Sequence, residues 1–178
     1  MKRSLLWIVC CMPFLSGCLG MPERVQPVNN FELDKYLGTW HEIARLDHVF
    51  ERGLTQITAE YTLREDDGVN VINRGFHAED GEWKEAVGRA YFVEGNNTGH
   101  LKVSFFGPFY SSYVVFGLDQ EEYQYAFVSG YSNDYVWLLA RTPEVSQRVK
   151  MEFVQAARER GFDTGALIWN CNVIVKGC

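Results

Sequence analysis

Between residues 39 and 141 the chain alternates apolar and polar positions in short runs, and turn residues separate the runs. The runs are TWHEIARL (39–46), TQITAEYTLRE (55–65), VNVINRGFH (69–77), KEAVGRAYFVE (84–94), HLKVSFF (100–106), SSYVVFGLD (111–119), EYQYAFVSG (122–130) and YVWLLART (135–142). A period of two predicts strands, with one face on a core. Asp66-Asp67-Gly68, Asp80-Gly81, Asn96-Asn97-Thr98-Gly99, Gly107-Pro108 and Ser132-Asn133-Asp134 lie between runs. Such clusters suit hairpin turns, where Asp-Gly supplies positive φ angles. No helical pattern intervenes, so consecutive strands are antiparallel neighbours. Eight up-and-down strands can close into a barrel that holds one small ligand. Periodicity alone also allows a sandwich.

The period changes after residue 141. Val145, Val149, Phe153 and Ala156 share one helical face, and Gln147, Lys150 and Arg158 share the other. Thr142 is the expected cap, Pro143 fits a first turn, and Gly161 can end the helix. This predicts an amphipathic helix packed outside the sheet. GALIWNCNVIV (165–175) reads as a last strand or an extended tail. Before the first strand, FELDKYL (31–37) can make one helical turn.

The N-terminus is a separate object. MKRS is basic, and the eleven apolar residues that follow are too few to span a bilayer as a helix, which takes about 20. They fit a secretory signal over residues 1–17. LSGC (15–18) resembles the bacterial lipobox, which implies cleavage before Cys18 and acylation of its thiol. Leu19 in the sorting position then implies the outer membrane. Residues 18–30 read as a lipidated N-terminus and tether, and 31–178 as the folded domain.

Composition changes the picture in two places. The 178 residues carry a formal charge of −6 and no basic run after residue 3, which excludes a nucleic-acid footprint. Of five cysteines, Cys10 and Cys11 leave with the signal and Cys18 is the anchor. Cys171 and Cys178 remain, and an oxidising envelope favours a bridge between them. A continuous strand there would instead hold the sulfurs apart. His41, His48, His77 and His100 are scattered, and no zinc spacing or cofactor motif appears, so neither metal nor cofactor is expected.

YLGTW at the first strand, LDQEEYQYA across a late hairpin and WLLART at the eighth occur in that order, followed by the helix. Together they resemble the three blocks of the lipocalin family, over essentially residues 28–170. With the lipobox and NRGF after the second hairpin, the chain is most similar to the bacterial outer-membrane lipocalins, relatives of apolipoprotein D. The resemblance implies an all-β, eight-stranded antiparallel closed barrel with the helix outside. It also implies a barrel floor made by Gly38, Trp40 and Arg141, with the guanidinium on the indole face. The implied function is binding of fatty acids or lysophospholipids at the envelope, with attachment to the membrane through Cys18.

Parity then nominates the cup wall. Glu42 and Ala44 are expected on the face of Trp40, and Tyr135, Trp137 and Leu139 on that of Arg141. Ala86, Gly88 and Ala90 make an all-small face that leaves room for ligand if it points inward. The expected ligand-binding residues are Ala90, Phe105, Tyr113, Trp137 and Leu139. Arg89 or Glu42 can contact a headgroup or seal the floor. At about 0.8 kcal/mol per buried methylene, an acyl chain of about sixteen carbons gains roughly 12 kcal/mol before ordering costs.

Two other functions remain open. One is an enzyme on the same barrel, against which stands the absence of a G-x-S-x-G nucleophile motif. The other is a structural lipoprotein whose barrel is filled by its own side chains. A homodimer through outward aromatics such as Phe116 is compatible with either.

Overall fold

The computed structural model describes residues 19–170. The signal segment 1–17, the lipidation site Cys18 and the Cys171–Cys178 pair lie outside the described residues.

Each period-two run becomes a strand. After one helical turn α1 (Leu33–Tyr36) come β1 (Gly38–Arg45), β2 (Leu54–Leu63), β3 (Val69–His77) and β4 (Glu82–Phe92). Then follow β5 (His100–Phe106), β6 (Phe109–Leu118), β7 (Tyr125–Ser129) and β8 (Val136–Ala140). Helix α2 (Gln147–Glu159), a 3-10 turn (Thr164–Ala166) and β9 (Ile168–Trp169) complete the order. Every strand from β2 to β7 pairs antiparallel with its successor, β8 pairs with β1, and β1 pairs with β2, which closes the barrel. The sandwich alternative is thereby excluded. The tail contributes only β9, which adds to β1 at Ala44 and Arg45.

Register defines two ends. Gly38 opposes Tyr61, and Val69 opposes Ala90, at one end; Leu54 opposes His77, and Phe106 opposes Phe109, at the other. The first is the floor and the second the mouth.

Burial divides into two apolar cores. One lies inside the barrel floor around Trp40, Tyr36, Val71 and Val115. The other lies between the sheet and α2, where Phe116, Phe127 and Leu138 meet Val149, Phe153 and Ala157. Phe116 is therefore covered, stacked on Phe162 at 5.9 Å, and is not an outward residue for a dimer.

Several local expectations need correction. The helix starts later than Thr142. The Thr142 hydroxyl donates to the Glu144 carbonyl (2.7 Å) and holds a turn, while Ser146 caps α2 by accepting from the Val149 amide at 3.3 Å. Ala157, not Ala156, is the fully buried alanine of that face. The helix ends as expected at Gly161, whose φ of +84° favours glycine. At the first hairpin the left-handed residue is Asp67 (φ 59°), not Gly68. Gly68 matters sterically, since a Cβ there would lie 2.6 Å from the Tyr91 ring.

Ala44 does not share the face of Trp40. The β1–β8 register shifts between Glu42 and Ala44, so Glu42 opposes inward Leu139 while Ala44 opposes outward Leu138. The extra residue turns the strand over, and Arg45 opposes Trp137 on the inner face.

Candidate functional site

The site is built from its floor. Gly38 has φ +93°, which lets the chain turn under the barrel into β1. Trp40 is fully buried and donates from its indole nitrogen to the Tyr36 carbonyl at 2.7 Å, so α1 lies across the bottom. The Arg141 guanidinium sits 3.9 Å from the centre of the Trp40 rings. Its nitrogens donate to the carbonyls of Thr39 (2.9 Å), Lys35 (2.7 Å), Leu37 (2.9 Å) and Tyr123 (3.3 Å). One side chain thus satisfies carbonyls that the α1–β1 turn leaves unpaired.

Above the floor three phenols meet. The Tyr113 hydroxyl is 2.7 Å from that of Tyr36 and 2.9 Å from that of Tyr61. Burial raises the pKa of all three, so they stay neutral at physiological pH.

The barrel encloses a cavity of about 610 Å³. That lies within the range of about 300–1,000 Å³ usual for small-ligand sites. Ala90, Phe105, Tyr113, Trp137 and Leu139 all stand on its wall, beside Ile57, Val71, Ala86 and Val103. The small face of β4 makes the room. Ala86 and Ala90 line the cavity, and the Phe105 ring lies so close over Gly88 that a Cβ there would be 2.8 Å from it. Arg89 is exposed on the opposite face of β4, so it neither seals the floor nor enters the cup.

Glu42 is inside but not on the floor. It belongs to a buried polar cluster on the wall, toward the mouth. Arg45 donates to the Glu42 carboxylate (2.9 Å), to the Asn170 side-chain oxygen (3.2 Å) and to the Glu51 carbonyl (3.0 Å). The Asn170 amide donates to Glu42 Oε1 at 2.6 Å. Glu51 Oε2 lies 3.0 Å from His48 Nε2 and accepts from the Trp137 indole at 3.2 Å. Burial, reinforced by the charge of Glu51, pushes the Glu42 carboxyl well above its usual range. Burial pushes Glu51 up too, but the bond and charge of His48 and hydrogen bonds from Glu42 and Trp137 outweigh it and hold Glu51 lower. The two carboxyl groups are thus driven in opposite directions by their surroundings.

Sequence reasoning placed Glu42 inward but missed its partners. Arg45 is turned inward by the bulge, and His48 and Glu51 lie in DHVFERGL (47–54), a polar stretch with no strand period. Tyr36 and Tyr61 carried no signal beyond their size. Among the described residues no group of three or more His, Cys, Asp or Glu side chains is placed to hold a metal ion. No helix among them is long and apolar enough to cross a membrane.

Comparison with known proteins supports the geometry. Residues 31–172 match the family model of the lipocalin-like domain. Outer membrane lipoprotein Blc of Vibrio cholerae is 60% identical over 164 residues, covering 92% of this chain and 96% of that protein. The protein of the same name from Escherichia coli K12 is 51% identical over 148 residues, 83% of each. Among solved structures, insecticyanin from the tobacco hornworm Manduca sexta superposes with a TM-score of 0.69 at 21% identity, covering 87% of this chain and 88% of that one. That likeness concerns the fold.

Proposed function

The chain belongs to the lipocalin family, and on that premise we propose that it binds a single-chain lipid, a fatty acid or lysophospholipid, in the cup of its barrel. Its place is the bacterial outer membrane. We infer attachment there through acylated Cys18, after removal of residues 1–17; of the expected tether 18–30, Val25 is fully buried in the outer core and Val28 and Asn29 bond to the barrel, so the free part is shorter than the sequence suggests.

The observation that carries the reading is the cavity itself. A barrel with about 610 Å³ of interior space is not packed by its own side chains, which argues against a purely structural barrel. The wall is dominated by aliphatic and aromatic groups. Among the polar groups on it, the three phenols are hydrogen-bonded to one another, and the Glu42 carboxyl is held by Arg45 and Asn170. An acyl chain fits that surface because burying methylenes is favourable and creates no unpaired polar atom. The mouth leaves the headgroup in water, so fatty acids and lysophospholipids both satisfy it. We infer binding without catalysis, with Ala90, Phe105, Tyr113, Trp137 and Leu139 as ligand contacts.

Native mass spectrometry of residues 19–178, purified without detergent and titrated with palmitate and lysophosphatidylethanolamine, tests this. A saturable 1:1 adduct is expected, and Ala86→Trp, which sets an indole ring across the space an acyl chain would occupy, is expected to abolish it. No adduct at lipid concentrations up to about 100 μM, where Kd corresponds to only about 5.5 kcal/mol, would sink the reading.

A further inference from the structure

The mouth presents an apolar rim that binding in the cup does not require. Val49 and Phe50 on the β1–β2 loop are 69% and 68% exposed, and Phe106 and Phe109 on the β5–β6 turn are 73% and 76% exposed. Tyr131 on the β7–β8 turn adds a partly exposed ring, and Trp83 stands exposed on the outer wall beside the same end. Large rings this exposed at three separate loop tips are an unusual cost for a surface facing only water.

We propose that this rim docks on the phospholipid bilayer, mouth down, so that the cup opens directly into the acyl-chain region. Three observations point to a lipid surface. First, Phe50, Phe106, Phe109 and Tyr131 also line the cavity, so apolar surface runs unbroken from the rim into the cup. A chain leaving the bilayer would enter without crossing water. Second, most of the charges at this end are paired with each other: Arg52 with Asp47 at 2.7 Å, and Lys84 with Asp80 at 3.0 Å and Glu82 at 3.1 Å. Approach to a low-dielectric surface therefore strands few single charges. Third, the β5–β6 turn FFGPFY (105–110) carries four aromatic rings and no charge. Aromatic rings at the level of the headgroups are what such an interface selects. The outer membrane where this protein resides supplies the surface.

Cross-linking from the bilayer tests the orientation. The full-length lipoprotein is reconstituted in vesicles of phosphatidylethanolamine and phosphatidylglycerol at 3:1, doped with a diazirine-bearing phosphatidylcholine, irradiated and mapped by mass spectrometry. Cross-links are expected at residues 49–50 and 106–109, and Phe106→Ser/Phe109→Ser is expected to reduce them at least about fivefold. Ala86→Trp, which sets an indole ring inside the cup and leaves the rim unchanged, is expected to leave them in place, so failure of the lipid-binding reading and failure of this one are distinguishable. Cross-links confined to the N-terminal tether or the floor turns would overturn the proposal. So would a rim free of lipid adduct in a protein that migrates as a dimer, which would assign the rim to a dimer.

Discussion

At the scale of single residues the most informative pair is Glu42 and Glu51. Both are carboxyl groups in a buried cluster, yet their pKa values move in opposite directions, Glu42 up and Glu51 down. Because its surroundings push the Glu42 carboxyl well above its usual range, Glu42→Gln should leave the protein near wild-type stability at pH 7. Glu51→Gln removes the charge facing His48 and Arg45 and should cost about 3–5 kcal/mol. The pH dependence has a defined sign. Because the folded pKa of Glu42 lies above its unfolded value, the native state holds the extra proton, and stability falls as pH rises between the two. Glu42→Gln should flatten that decline. Chemical denaturation of both variants across pH 4–9 checks both statements, and a large loss from Glu42→Gln at pH 7 would mean the carboxyl is ionised.

At the scale of elements the test case is the start of α2. Ser146→Ala should cost about 1 kcal/mol because it removes the acceptor for the Val149 amide, whereas Thr142→Ala should cost far less. Thermal melts of the two variants separate the observed cap from the one that sequence suggests. Thr142-Pro143 has the chemistry of a helix start, and nothing local reveals that the Thr142 hydroxyl is used by Glu144 instead. The eight barrel strands, by contrast, were legible, because each repeats the same period and each turn carries its own residues. The Gly38–Trp40–Arg141 floor was legible only through family resemblance. The inward turn of Arg45 was not legible, since a one-residue bulge leaves no mark on an alternating pattern. Nor was the bond between Asn170 and Glu42, residues 128 apart in the chain.

At the scale of the whole molecule, a barrel with a cavity of about 610 Å³ is expected to gain stability from a ligand that fills it. A ligand that binds only the native state should stabilise it by about 2.7 kcal/mol at a free concentration of one hundred times Kd. Thermal unfolding with increasing lysophospholipid should therefore show a rising Tm in wild type and none in Ala86→Trp. Equal shifts in both would locate binding outside the cup. The same logic explains why the interior is unevenly furnished. The three phenols above the floor and the Glu42–Arg45–Asn170 group are each hydrogen-bonded internally, and much of the rest of the lining is apolar.

The Arg141 clasp also has a consequence in time. It fastens the first turn of the domain to the last barrel strand, and its bonds to Thr39 and Lys35 join residues 102 and 106 apart in the chain. Until that strand has emerged, β1 has no β8 to pair with and Trp40 has no cation over its face. Contacts this distant form slowly, because loop closure must precede any reward from pairing. A nascent chain is thus expected to remain open until nearly all of the barrel has been made. For a protein bound for the far side of a membrane that delay is useful, since a secretion channel accepts an unfolded chain and the clasp can shut only on arrival.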